Sequence, residues 1–441
     1  MSNVIPAKAG IHDAVAISIG TMFEAAFLIG VKFPNTTREE CENSLTELQN
    51  LTQTSDAKVV GQTFQDLKTS HPATFLGKGK ISEVAQALCS RKCNLVIIDT
   101  ELSPAQNKNL QEALKVKVVD RTGLILDIFA KHAKTKEGKM QVSLAQCLYT
   151  LPRLVGMWEH FSRQQGGIGV RGPGETQLEV DRRRIREKMA HIRKELQQIK
   201  KTRTVHRAQR ESVPIPLVSI VGYTNAGKST LLNTLTQAGV LVEDKLFATL
   251  DPTVRRYRLP SGRKILLADT VGFISRLPHE LVEAFKSTFE EVSRATLLLH
   301  LIDVSNSNWR KQAQVVRLVL REMDLHRKRS LNIYTKVDLA PEFKTKNGIL
   351  ISSLNKQGLD ELVQAIDDAL STREKIYQFQ VPYDAMQVLP MLYECGRVLE
   401  RKDQKEGIQF KVSLNTKFRK IIESQIGLKI KKMNVILNPA G

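Results

Sequence analysis

The chain has 441 residues, 41% of them hydrophobic and 5% aromatic, enough apolar material for ordinary cores in roughly two to four domains. Lys and Arg number 66 against 46 Asp and Glu, a formal charge of +20, which points to a polyanionic partner, nucleic acid or an anionic membrane surface, over charge carried for solubility alone. No stretch offers ~18 uninterrupted apolar residues, and Glu24 breaks the most apolar one, 14–33, so a membrane span is not expected; nor is a secretory leader, since no charged segment feeds a strong apolar core at the start.

Residues 25–31 read as a buried strand, and 38–51 as a helix with Thr37 as its N-cap. A strand at 58–60, a helix over 81–88 and a strand at 94–99 follow. Ser103 caps a helix to Leu114, 116–120 is a strand, and a helix runs over 122–132. This alternation predicts an α/β domain with a largely parallel sheet. The five cysteines, Cys41, Cys89, Cys93, Cys147 and Cys395, are odd in number and unpatterned, as suits a reducing compartment. Cys89 and Cys93 lie one helical turn apart without a second Cys/His pair, so burial is preferred to metal binding.

A helical pattern over 141–155 leads into a glycine-rich loop that includes Gly166, Gly167, Gly169, Gly172 and Gly174. Gly167, Gly169 and Gly172 spell G-x-G-x-x-G, but no strand precedes them, so a dinucleotide site is rejected. Then comes a long helix over 177–203, with an apolar stripe (Ile185, Met189, Ile192, Leu196, Ile199) expected to pack on the 141–155 helix. Its other faces are basic. Positions 182–210 hold twelve Lys/Arg, among them Arg182, Arg183 and Arg184, against two Glu. A solvated helix is the bland alternative; beside the glycine-rich loop, an RNA-facing arm is preferred.

After a proline linker (Pro214, Pro216), an apolar strand at 217–221 runs into Gly222-Tyr223-Thr224-Asn225-Ala226-Gly227-Lys228-Ser229-Thr230 and a helix over 229–236. This is G-x-x-x-x-G-K-S in the strand–loop–helix setting that phosphate binding requires. Glycines let successive N–H groups curl toward a polyphosphate, and the helix N-terminus adds its dipole. Lys228 reaches the β- and γ-phosphates while the Ser229 hydroxyl ligates Mg2+. Further strands are read at 254–258, 264–269, 297–303, 331–335 and 349–352.

Asp269-Thr270-Val271-Gly272 ends one of these strands. A carboxylate there can hold Mg2+ through water, and the Gly272 N–H can sense a γ-phosphate. In Phe247-Ala248-Thr249-Leu250-Asp251-Pro252-Thr253, Thr249 is the threonine expected to close on Mg2+, with Thr253 the competitor and loop capping the alternative. Thr335-Lys336-Val337-Asp338 resembles the guanine motif N-K-x-D: Asp338 can accept two hydrogen bonds from guanine, and the Lys336 stem can cover the base. Thr335 replaces the asparagine, which leaves the choice between GTP and ATP open. Ser352-Ser353-Leu354 resembles the last guanine loop. Lys228, Thr249 and Gly272 are the residues expected to act on the reaction. Phe273 stands where many such enzymes carry a water-orienting glutamine, so slow intrinsic hydrolysis is expected, raised by a partner.

The order of these motifs resembles Ras-like translation-factor GTPases. G-Y-T-N-A-G-K-S-T, F-A-T-L-D-P-T and D-T-V-G-F-I resemble the HflX branch of the Obg-related GTPases more closely. So do Leu102-Ser103-Pro104-Ala105-Gln106, Asp120-Arg121-Thr122, Leu151-Pro152-Arg153 and the glycine-rich loop with its E-T-Q-L-E. The resemblance implies a ribosome-associated GTPase that binds the large ribosomal subunit, splits or rescues ribosomes, often under stress, and can also use ATP; with no leader or span expected, the cytoplasm is the expected compartment. It begins near Met22, so an early start is suspected for the residues before it. The expected domains are an atypical extension (1–21), an N-terminal α/β domain (22–138), a helical hairpin arm (139–211), a Ras-like P-loop GTPase domain (212–373) and a small C-terminal α/β domain (374–441). The last alternates strand 376–381, helix 384–399, strand 407–414, helix 417–426 and strand 430–437. A monomer is expected, with at most peripheral membrane association. The alternatives are a signalling switch that docks a protein or membrane effector, and an ATP-using RNA remodeller.

Overall fold

A computed structural model describes residues 24–162, 173–210, 215–236, 246–247, 249–250, 252–276, 290–371, 374–383, 386, 389–415 and 434–436. The expectations for 1–21, for Gly166, Gly167, Gly169 and Gly172, for Ala248 and Asp251, and for a helix at 417–426 lie outside these residues. The chain divides into two compact units, formed essentially by residues before and after the Lys194–Glu195 bond.

The first unit alternates β1 (Ala25–Lys32), α1 (Arg38–Thr54), β2 (Lys58–Asp66), α2 (Lys78–Arg91), β3 (Leu95–Ile98), α3 (Pro104–Leu114), β4 (Lys117–Asp120) and α4 (Arg121–His132). Its sheet is parallel throughout, in the order β2-β1-β3-β4. β1 and β3 are buried along their length, which explains their unbroken apolar runs. Thr37 with Glu40 and Ser103 with Gln106 form reciprocal capping boxes that satisfy orphan N–H groups and start α1 and α3.

The sequence stretches around Leu102, Asp120 and Pro152 meet in this unit. The buried Asp120 caps α4 through Gly123 N–H (2.8 Å) and accepts from the Tyr149 hydroxyl (2.8 Å), Leu102 N–H (3.1 Å) and Arg153 Nη2 (3.0 Å). Burial and the Asp120 charge push the Tyr149 phenol well above its ordinary pKa, so it stays a donor. Arg121, 2% exposed, pairs with Asp99 at 2.7 Å and with Glu47. Removing one member of such a buried charge set strands the others, so its sequence is constrained by the fold. Leu102, Ser103, Thr122, Tyr149, Pro152 and Arg153 line a cavity of about 390 Å³ beside the set.

α5 (Lys136–Ser162) carries Pro152 within it and packs against α3 and α4. α6 (Pro173–Arg210) is longer than its apolar stripe predicts. Ile185, Met189 and Ile192 of the stripe are buried, and Lys188 acts electrostatically on the buried Cys147 of α5, as expected for helices lying side by side. Arg183 and Arg184 are exposed, with ion pairs to Glu187 at 3.9 Å and Asp181 at 3.7 Å on their own helix.

In the second unit, β5 (Leu217–Gly222), α7 (Lys228–Thr236), β6 (Thr253–Arg258), β7 (Lys264–Asp269), α8 (Glu290–Arg294), β8 (Leu297–Asp303), α9 (Trp309–Glu322), β9 (Ser330–Thr335), β10 (Ile349–Leu350) and α10 (Leu359–Ser371) build a six-stranded sheet with helices. The order is β10-β9-β8-β5-β7-β6, parallel except for the β6–β7 pair. Val218, Ile220, Leu231, Leu299, Ile333 and Ile366 belong to its core. The chain is mixed α/β, as expected, and β5 of this sheet runs into the glycine-rich phosphate loop.

His300, in the middle of β8, is 3% exposed, and burial lowers its pKa to about 4, helped by Arg317 and opposed by a hydrogen bond with the Asn332 side chain, which favours the protonated ring. The unfolded chain therefore binds this proton more readily than the folded one between about pH 6.5 and 4. Stability from His300 is fully present above pH 6.5 and is lost as pH falls toward 4, by up to about 3 kcal/mol. Denaturant titrations of His300→Gln should show a flatter stability profile over that window than the parent; parallel profiles would refute the assignment.

The C-terminal sheet corrects one expectation. β11 (Glu374–Val381) is followed by α11 (Leu389–Cys395), which stops at Gly396. Residues 397–399, read as helix, begin instead a strand, β12 (Arg397–Gln404), which hairpins onto β13 (Gly407–Asn415). Gly407 takes φ +148 at the turn, and a Cβ there would strike the Val381 carbonyl. Hairpin pairing with β13 decides Arg397–Gln404, whose charged residues carry no clear period. β14 (Asn434–Ile436) completes an antiparallel sheet of order β12-β13-β11-β14.

Candidate nucleotide-binding site

β5 delivers the phosphate loop at its C-terminal end. Gly222 is required there because a Cβ would lie 2.7 Å from the Leu301 carbonyl of β8. Asn225 (φ 59) and Gly227 (φ 85) take left-handed backbone, which curls the loop before α7 begins at Lys228. Tyr223, Thr224 and Ala226 are buried, Thr230 half-buried. The Thr224 hydroxyl is buried without a hydrogen-bond partner.

Lys228 is 7% exposed, and its ammonium donates to the Tyr223 carbonyl at 2.7 Å. Burial lowers its pKa to about 8, with Asp269 working against that shift and Lys336 adding to it. A desolvated cation at the mouth of a helix is poised for a phosphate.

Three oxygen-bearing side chains converge from separate elements. The Ser229 hydroxyl (α7) donates to Asp269 Oδ2 (end of β7) at 2.6 Å, and the Thr249 hydroxyl lies 3.1 Å from the same Asp269 oxygen and 2.8 Å from Ser229 Oγ, with one proton to give to either. Asp269 is fully buried, and its Oδ1 has no hydrogen-bond partner among the described residues. Burial raises its pKa, against the lowering effect of Lys228, Ser229 and Thr249. A carboxylate and two hydroxyls in contact, with one carboxylate oxygen unsatisfied, fit a hard divalent cation such as Mg2+. Among the described residues no cluster of three or more His, Cys, Asp or Glu forms a metal centre.

Thr249 is thus brought to the pair, whereas Thr253 starts β6 and pairs with Asp269 through the sheet register. Phe247, at φ 59, and Leu250 are buried anchors on either side of Thr249. Thr270 ties β7 to β5 through the Ile220 carbonyl at 2.7 Å, and Val271 is buried. Gly272 is packed so closely that a Cβ would lie 2.8 Å from Thr224 Cα and 2.9 Å from Lys228 Nζ. Phe273 is 1% exposed, its side chain committed to packing.

On the other side, Thr335 at the end of β9 donates to the Ala226 carbonyl at 3.0 Å, tying this strand to the phosphate loop. Lys336 takes left-handed backbone and pairs with Asp303 at 2.8 Å. Val337 is buried, and Asp338 is half-buried in the 3₁₀ turn that follows. Ser352 closes the neighbouring loop with two backbone bonds to Gln357 (3.1 and 3.0 Å); the Ser353 carbonyl accepts from Thr234 of α7 at 3.2 Å, and Leu354 is 78% exposed. Short tertiary bonds therefore gather the motifs that chain order had separated by more than a hundred residues. Ser275, which bonds to Tyr223, carries no motif signal in the sequence at that distance from Gly272.

Family profiles match nearly the whole of this arrangement and the regions before it. They are described as GTP-binding GTPase N-terminal (42–130), GTP-binding GTPase Middle Region (132–210), 50S ribosome-binding GTPase (217–336) and HflX C-terminal domain (340–435). The chain is 48% identical over 389 residues to GTPase HflX of Caldanaerobacter subterraneus subsp. tengcongensis, covering 88% of this chain and 91% of that protein. It is 39% identical to GTPase HflX of Escherichia coli K12, over 87% of this chain and 92% of the relative. Among solved structures, a GTP-binding protein from the archaeon Sulfolobus solfataricus in complex with GDP aligns over 79% of this chain and 99% of its own, at 26% identity and a TM-score of 0.42. No helix among the described residues is long and apolar enough to cross a membrane.

Proposed function

The chain belongs to the HflX family of GTPases and is a GTP-hydrolysing enzyme, and from that membership we propose that it is a switch acting on the large ribosomal subunit, splitting or rescuing ribosomes under stress. The observation that carries the reading is the convergence of Ser229, Thr249 and Asp269 beside Lys228 and Gly272. Elements on both sides of the phosphate loop can then respond to a γ-phosphate. Ser229 and Thr249 would hold Mg2+, with Asp269 acting through water. The ion would neutralise charge on the β- and γ-phosphates.

Within that site Lys228 stabilises charge on the transferred phosphoryl group, the backbone at Gly272 meets its γ-oxygens, and water attacks in line. Gly222 to Thr230 cradle the phosphates. The loop from Phe247 to Asp251, Ala248 included, and Asp269 to Gly272 are the two segments that order around them. Thr335 to Asp338 with Ser352 to Leu354 hold the base. The buried Phe273 cannot orient water, so unaided turnover is slow and large subunits raise it.

The basic arm (Arg182, Arg183, Arg184) and the glycine-rich loop (Gly166, Gly167, Gly169, Gly172, Gly174) grip ribosomal RNA in this reading. The five-part division at about residues 21, 138, 211 and 373 then separates RNA-facing parts from the nucleotide switch. The protein works as a cytoplasmic monomer, with any membrane contact peripheral. Sedimentation with ribosomes in GDP and in a non-hydrolysable GTP analogue tests this. Binding should favour the GTP analogue, and charge reversal at Arg182, Arg183 and Arg184 should weaken it and flatten its salt dependence. Nucleotide-independent sedimentation, or none, would overturn the reading.

A further inference from the structure

Tyr223 is the first residue after Gly222 in the phosphate loop, yet its hydroxyl engages a different segment. Ser275 N–H donates to it at 2.7 Å, and it shares a second hydrogen bond with Ser275 Oγ at 2.6 Å. The Tyr223 ring is buried, at 5% exposure. The backbone on either side of it is bonded to Phe273: Phe273 N–H donates to the Gly222 carbonyl at 3.1 Å, and Thr224 N–H donates to the Phe273 carbonyl at 2.8 Å. Phe273 and Ile274 are each 1% exposed, so their side chains anchor the segment from below. Gly272 is pressed against Thr224. Residues 272–275 are therefore fastened to the phosphate loop along their length, and the Tyr223 hydroxyl fastens the far end.

We propose that Tyr223 is a positioning residue for GTP hydrolysis. Its hydroxyl latches Ser275 and keeps the 272–275 backbone in one register on the phosphate loop. The Tyr223 carbonyl also accepts from Lys228 Nζ at 2.7 Å, so a single residue sets the lysine and the γ-phosphate-facing backbone relative to each other. The latch matters here because Phe273 supplies no side chain to the reaction. Turnover then depends on how firmly backbone groups are pre-placed, and displacements near 1 Å can lower rates on the order of a hundredfold. The proposal rests on the GTPase reading of this site.

Tyr223→Phe keeps the ring and removes only the hydroxyl. Single-turnover hydrolysis, KM for GTP and affinity for fluorescent GDP would be measured with the full chain. The expected result is a kcat about tenfold lower, with KM and GDP affinity within about twofold, because a hydrogen bond that only orders the transition state leaves ground-state phosphate contacts intact. Ser275→Ala keeps the backbone donor, so its kcat should fall less. The double variant should be no slower than Tyr223→Phe alone, since both changes act on one latch. An unchanged kcat in Tyr223→Phe, or equal losses of kcat and GDP affinity, would overturn the proposal. A parent chain that binds GDP but never hydrolyses GTP would instead overturn the underlying reading, and the proposal with it.

Discussion

Replacing Lys228 by alanine is expected to lower GTP turnover by about a thousandfold, measured as phosphate release at saturating GTP and Mg2+. The size of the effect follows from where the amine sits. It is 7% exposed and bonded to the Tyr223 carbonyl, and Gly272 leaves room beside it that a methyl group would fill. In that setting a charge is poorly screened and its interaction with a developing phosphate charge is strong. The same burial lowers the pKa of the free lysine to about 8, so the ammonium is a burden on the nucleotide-free fold. The variant should accordingly fold at least as stably as the parent when no nucleotide is present. A stable variant with undiminished turnover would refute the role given to Lys228; one that fails to fold would refute the electrostatic account of the loop.

Asp338→Asn is expected to weaken GTP binding by about a hundredfold or more while leaving ATP binding nearly unchanged, in a direct competition between the two nucleotides. A carboxylate accepts from both guanine N1–H and the 2-amino group, and adenine offers neither. An amide in its place sets a donor against one of those donors. The Thr335 hydroxyl donates to the Ala226 carbonyl, which holds the strand end before Asp338 against the phosphate loop. Equal losses for the two nucleotides would place base selection elsewhere, with Ser352 to Leu354 the next segment to alter.

Much of the site was legible before folding, for a definite reason. A phosphate loop works through backbone geometry, and backbone geometry needs glycine at set positions, so Gly222 and Gly227 leave a local signature. Asp269 to Gly272 and Thr335 to Asp338 were legible because each closes an apolar strand, and strand ends place residues at the edge of a parallel sheet. Thr249 is preferred over Thr253 on the sequence, but only the folded loop shows its hydroxyl beside Ser229 and Asp269, with Thr253 paired into the sheet instead. The stretches around Leu102, Asp120 and Pro152 were recognisable as family sequence, but their purpose was invisible until Asp120, Tyr149 and Arg153 met in one buried network.

By itself the sequence determined the α/β class, the polyphosphate loop, the T-K-x-D stretch that resembles a guanine motif and the excess of positive charge, because these depend on residue type, short spacing and strand or helix period. Tertiary structure decided the rest. It turned residues 397–399 from the expected helix into strand, because pairing with β13 outweighs local preference. It put Phe273 into the core and joined Tyr223 to Ser275 across 52 positions of chain. Such contacts arise when two segments that carry no mutual sequence signal are brought together by a shared sheet. They determine how firmly the phosphate loop and the segment after Gly272 are held to one another.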